Sequence, residues 1–188
     1  MKTAFHGTSA DIFKQILKDG KLSTSPAKRN WNESNNAVYL WAFFDSQYHQ
    51  DEEERRNECL TNATSSAEIP LVDSQDCRRV VMEIDVEGLE YHDDLSCDNM
   101  EGAIECFDEI PVSRIVRVWV DREELSPFKT IIIKFLLQHS LFDFSNSPTI
   151  SKMSDYMRKQ IEKMEVECYW QEEFSVEETP NWKEIFGA

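Results

Sequence analysis

The stretch FHGTSADIFKQILKDGKL, residues 5–22, decides how the rest of the chain is read. Ile12, Phe13, Ile16 and Leu17 recur at helical spacing and form one apolar face. Ser9 suits the N-cap, Asp11 the positive end of the helix dipole, and Gly20 the left-handed stop. The spacing predicts a helix over residues 10–19, entered from a short strand at residues 3–5. Between them stands His6-Gly7. An imidazole at a strand end presents a donor and an acceptor at fixed separation, and glycine lets a ligand approach the backbone closely. Alone, such a pair is more often structural, so its weight depends on the segments around it.

Working outward, STSPAKRNWNESNN is rich in turn formers and carries no period, which predicts a loop covering a site. AVYLW, residues 37–41, is a compact apolar run and reads as a short buried strand. DSQYHQDEEERRNECL reads as a largely solvated helix, and TNATSSAEIPLVDSQD as a polar connection. RRVVMEIDVEGLEY alternates: Val80, Met82, Ile84 and Val86 share one face, with Glu83 and Asp85 on the other. AIECF (residues 103–107) and RIVRVWV (residues 114–120) are two further strands, separated by DEIP, whose Pro111 has no ladder donor.

The last third differs in character. TIIIKFLLQHSLFDF is apolar but too short to span a bilayer, which predicts a buried helix. SDYMRKQIEKMEVECYW repeats Met157, Ile161, Met164 and Cys168 on one stripe, a second helix. QEEFSVEETPNWKEIFGA is acidic with interspersed aromatics, suited to docking on the domain or on a partner. The expected organisation is a core over residues 1–125 and a helical extension over residues 126–188 packed on it.

Composition narrows the function classes. The 188 residues suit one domain with a modest appendage. A net charge of -16, from 36 acidic and 20 basic residues, repels phosphate backbones and argues against a general nucleic-acid binder. A local basic patch at Lys28 and Arg29 or at Arg78 and Arg79 would be the exception. Five cysteines without CxxC spacing indicate free thiols. YHDDLSCD, residues 91–98, gathers His, Asp and Cys, but the spacing fits no zinc pattern, so a polar loop and no metal are expected. The N-terminus lacks the apolar core of a secretory signal, so a cytoplasmic protein without membrane association is expected.

Taken in order, FHGTSADIFKQILKDGKL, AVYLWAFFDSQYH, RRVVMEIDVEGLEYHDDL and AIECFDEIPVSRIVRV resemble the ADP-ribosyltransferase superfamily of the histidine-tyrosine-glutamate kind. The likeness spans residues 3–120. It implies an α+β fold with a split, mixed β-sheet core and flanking helices, and NAD as co-substrate. It further implies that His6 holds a ribose hydroxyl, that the Gly7 backbone bonds the nicotinamide amide, and that Tyr39 stacks on the nicotinamide ring. Thr8 or Ser9 would assist at the ribose. Glu105 is the expected catalytic carboxylate, because it is set in an otherwise apolar strand where an acid is costly unless paired or used. Glu101 and Glu109 are the alternatives, Glu109 being ascribed to solvent contact at the turn before Pro111.

The chain also departs from the family pattern. Leu40 and Trp41 follow Tyr39 where a small Ser or Thr is usual, so the pocket edge is either crowded or gains a stacking face. Ala103 stands two residues before Glu105, unlike the Glu-x-Glu pair of arginine-modifying members. The basic residues that precede His-Gly in the tRNA 2'-phosphotransferases are reduced to Lys2. The implied activity is mono-ADP-ribosyl transfer to a macromolecular acceptor, protein rather than nucleic acid given the acidic surface. By analogy it suits toxins or phage-host conflict. NAD glycohydrolysis is a lesser possibility, and a catalytically silent acidic interaction module, acting through the aromatic tail, is the alternative.

Overall fold

The computed structural model describes residues 2–24, 36–42, 51–67, 74–94, 102–122 and 176–187. The two helices expected between residues 130 and 170, most of the turn-rich loop after Leu22, and the patch at Lys28 and Arg29 lie outside them. The described residues form nine strands and three α-helices. In chain order they are β1 (Thr3–Ser9), α1 (Ala10–Asp19), β2 (Lys21–Leu22), β3 (Val38–Trp41), α2 (Glu52–Ser66), β4 (Arg79–Asp85) and β5 (Tyr91–Asp93). After these come β6 (Ala103–Cys106), β7 (Ile110–Pro111), β8 (Ile115–Asp121), β9 (Val176–Glu178) and α3 (Trp182–Phe186).

The fold is α+β. A seven-stranded sheet runs in the order β5-β6-β3-β1-β4-β8-β9, and β2 pairs with β7 beside it. The resemblance implies a mixed sheet, yet every pairing among the described residues is antiparallel. Pro111 sits opposite Lys21 in β7, and the next residue, Val112, supplies a donor in its place, 3.0 Å from the Gly20 carbonyl.

α1 occupies the residues its periodicity indicates. Ser9 Oγ accepts from the Ile12 amide, and Gly20 closes the helix at φ 74°. β1 runs longer than residues 3–5. It continues through His6, Gly7 and Thr8 to Ser9 and pairs with β4 without a break from Thr3–Asp85 to Ser9–Arg79. Its pairing with β3 is different: among the described residues it is confined to Phe5 and Trp41. The described strands nevertheless form one continuous seven-stranded sheet, with β3 and β1 as neighbours.

Each face of the sheet has its own core. On one, Ala4, Leu40, Val80, Met82, Ile84, Ile104 and Cys106 pack with Phe13 and Ile16 of α1 and Trp182 of α3. On the other, Phe5, Val81, Trp119 and Val176 lie with Cys59 and Ala63 of α2. Alternation along the strands assigns each residue to a face.

Three expectations change on contact with this packing. α2 starts at Glu52, capped by the Asp51 carboxylate, and runs through TNATSS, whose polar composition suggests a connection. It buries Cys59, Ala63 and Thr64, small side chains that leave little amphipathic signal. Glu83, on the polar face of its strand, is not solvated but only 4% exposed. It accepts from Thr3 Oγ1 and from Arg56 of α2, whose guanidinium lies over the Trp119 ring at 5.2 Å. Arg79 is likewise buried, gripped by Asp121 at the end of β8, so it belongs to no basic surface.

The C-terminal segment joins the core. β9 pairs with β8 as an edge strand, so the extension expected to be helical contributes a strand as well. Trp182 and Phe186 then flank Phe13, with ring centroids 5.7 Å and 4.9 Å away. No helix among the described residues is long and apolar enough to cross a membrane.

Candidate functional site

Glu105, Tyr39 and His6 stand on the consecutive strands β6, β3 and β1 of the sheet. In the β3–β6 ladder Tyr39 is directly opposite Glu105, and in β5–β6 the same glutamate is opposite His92. Cross-strand partners share a face with Cβ atoms about 5 Å apart, so Tyr39, Glu105 and His92 form one row. It is the face of α2, since Val38, Leu40, Ile104 and Cys106 between them point into the other core. Glu105 is 7% exposed within its strand.

His6 reaches the row differently. Its unbroken register with β4 sets it opposite Met82, on the face away from α2. Its ring reaches the neighbouring strand, where Nδ1 lies 2.8 Å from the Tyr39 carbonyl oxygen. A carbonyl only accepts, so Nδ1 carries the proton, and the neutral ring offers Nε2 as an acceptor. Burial pushes the imidazole below its ordinary value, outweighing the opposite pull of the Tyr39 bond. The ring is accordingly held neutral.

Gly7 carries a packing demand. A Cβ built there would lie 1.8 Å from the Ala63 carbonyl oxygen and 2.8 Å from the Ala67 amide nitrogen, so α2 rests directly on the β1 backbone. On this face it is a helix, rather than a ligand, that makes the close approach. Trp41 serves the same packing: its indole Nε1 donates to Ser66 Oγ at 2.9 Å, and Ser66 bonds the Asn62 carbonyl. The indole is thereby tied to the C-terminal turn of α2. Thr8 and Ser9 are both buried, and Ser9 Oγ accepts from Ile12 N and from Ser74 Oγ.

The remaining acids are placed as the strands dictate. Glu109 is exposed and paired with Lys21 at 2.7 Å. Glu101 lies outside the described residues. YHDDLSCD is not a loop throughout, since Tyr91–Asp93 forms edge strand β5, and no group able to hold a metal occurs among the described residues. Sequence patterning assigns no role to His92 or Phe107, whose rings are 5.8 Å apart at the outer end of the row. Only strand register could have found His92, 13 residues from Glu105 in sequence, whereas Phe107, two residues on, shares its face by alternation. Cys59, Cys77 and Cys106 are free thiols, and burial pushes that of Cys106 up.

The site offers a neutral imidazole on one face of the sheet and, on the other, a phenol directly opposite a buried carboxyl group. Each can hydrogen-bond a polar ligand. Compared with protein-family models, with curated proteins and with solved structures, the chain matches none.

Proposed function

We propose that this chain is an NAD-dependent mono-ADP-ribosyltransferase that releases nicotinamide and passes ADP-ribose to a protein acceptor. The observation that carries the reading is the register of Tyr39 opposite Glu105, with His6 of the neighbouring strand bonded to the Tyr39 carbonyl. His6 Nε2 accepts a ribose hydroxyl, the Gly7 backbone holds the nicotinamide amide and Tyr39 stacks on its ring.

Breaking the bond between nicotinamide and ribose builds positive charge on the sugar, as in glycoside hydrolysis. Glu105 is the carboxylate that faces this charge. Fixed in a largely dry strand, it needs no reorganisation when the charge appears, an effect worth about 3–4 kcal/mol for comparable oriented groups. Nicotinamide release from NAD, measured for the native protein and for Glu105→Gln, tests the assignment. The expected result is a fall of about 100-fold or more in turnover with NAD affinity within a few-fold. Equal release by both proteins would remove Glu105 from the chemistry.

One observation favours a second reading, a catalytically silent domain on this architecture. His6 stands on the opposite face from Tyr39 and Glu105, and Gly7 is demanded by α2 whether or not a ligand binds. The version acting through a free aromatic tail is weakened, because Trp182 and Phe186 are committed to Phe13. Calorimetry with NAD separates the readings: no binding heat leaves the silent domain.

A further inference from the structure

The row Tyr39, Glu105, His92 has a direction. It starts at Tyr39 on β3, the neighbour of β1, and ends on β5, the outermost described strand, where the His92 side chain is 56% exposed. Beside it Phe107 is 46% exposed, and its ring is tilted 54° to the imidazole. The buried Glu105 thus lies between a half-buried Tyr39 and an open end.

If nicotinamide leaves at the Tyr39 end, the nucleophile must come to the sugar from the other side of Glu105. Among the described residues, His92 and Phe107 are the side chains at that end of the row. We propose that His92 is the acceptor-side general base, acting on a hydroxyl-bearing side chain of a protein that docks against Phe107. The inference rests on the transferase reading of the same site.

The chemistry of the open end selects the nucleophile. His92 Nε2 lies 3.5 Å from a carboxylate oxygen of Glu90, and a neutral imidazole keeps one ring nitrogen able to accept a proton. A carboxylate acceptor needs no base and would be repelled by Glu90 and Glu105. A guanidinium, always protonated, would not yield its proton to an imidazole. A hydroxyl is uncharged and is the ordinary client of a histidine base.

In the step, the bond between the sugar's anomeric carbon and the nicotinamide nitrogen breaks, and its electron pair leaves with neutral nicotinamide. A lone pair of the hydroxyl oxygen forms the new bond to that carbon. The hydroxyl proton passes to His92 and from there to solvent, and no oxidant or further co-reactant is consumed.

The test uses the full chain, NAD labelled in the adenosine part, and the protein fraction of a cell lysate. His92→Gln keeps hydrogen bonding but not the base, so transfer should fall about 100-fold while nicotinamide release to water stays within about threefold. Phe107→Ala should raise the apparent KM for acceptor protein with little change in release. The label on protein should resist neutral hydroxylamine, which cleaves carboxylate esters.

Transfer by His92→Gln at the native level, or a hydroxylamine-labile label, overturns the inference. Equal loss of release and transfer does so too, since it marks a structural role. If Glu105→Gln is inactive in that same experiment, the transferase reading survives without His92. A native protein that releases no nicotinamide ends both.

Discussion

His6 Nδ1 donates to the Tyr39 carbonyl across 2.8 Å, tying β1 to its neighbour β3. The ring is held neutral because its buried setting penalises the charged form, which lowers its pKa from the ordinary 6.5. A group depressed in the folded state binds protons more readily when unfolded, so its contribution is full above about pH 6.5 and is lost as pH falls. Urea denaturation at pH 7.5 and 5.5 should show the native protein losing stability. His6→Gln, which keeps a donor for the carbonyl, should show a shallower slope. Identical slopes would mean that the imidazole titrates freely.

Gly7 separates packing from ligand binding. Its missing Cβ is filled by the Ala63 carbonyl, a backbone atom in a helix that cannot step aside cheaply. Gly7→Ala should destabilise the fold by about 1–3 kcal/mol, the usual cost of overpacking, or more if α2 detaches. The loss should be the same with and without saturating NAD. A variant of native melting temperature would show that α2 does not seat here.

The parts of the fold legible in sequence are those with a strong period or a cap. Helix α1 follows from Ile12, Phe13, Ile16 and Leu17 between Ser9 and Gly20, and β4 from its alternation. Alternation cannot show that Glu83 is covered, because Arg56 and Arg117 reach it from α2 and β8 and allow a charge in a dry place. The length of α2 is hidden for a related reason: it is held by Ala63 and Ala67 against a glycine, a contact made by small residues with no hydrophobic signature. Tyr39 and Glu105 are both nominated by sequence, yet their pairing is a fact of register. Register depends on residues far apart in the chain, so His92 enters the row unannounced.

Arg79 and Asp121 form a buried pair at the ends of β4 and β8, with side chains 3% and 1% exposed. Asp121 accepts from the Arg79 backbone amide at 2.7 Å and from Nε and Nη2 of the guanidinium. Cutting one partner strands the other charge away from water. Arg79→Ala and Asp121→Ala should each cost about 3–5 kcal/mol, far more than loss of the exposed Lys21–Glu109 pair, which should cost under about 1 kcal/mol. The double substitution of the buried pair should be less damaging than the sum of the singles. Simple additivity in denaturant melts would show that the two charges do not rely on each other.

The C-terminal segment should behave as part of the core rather than as a removable tail. β9 hydrogen-bonds along β8 from Trp119 to Asp121, and Trp182, 7% exposed, shares the core with Phe13. An aromatic of that size removed from such a place costs about 3–5 kcal/mol. Trp182→Ala should therefore lower stability by that amount, whereas Ile185→Ala should change it by less than about 0.5 kcal/mol, because Ile185 is 50% exposed. Truncation after residue 175 should leave β8 as an open edge and reduce solubility as well as stability. A protein ending there with native melting and native solubility would show that β9 and α3 merely rest on a sheet complete without them.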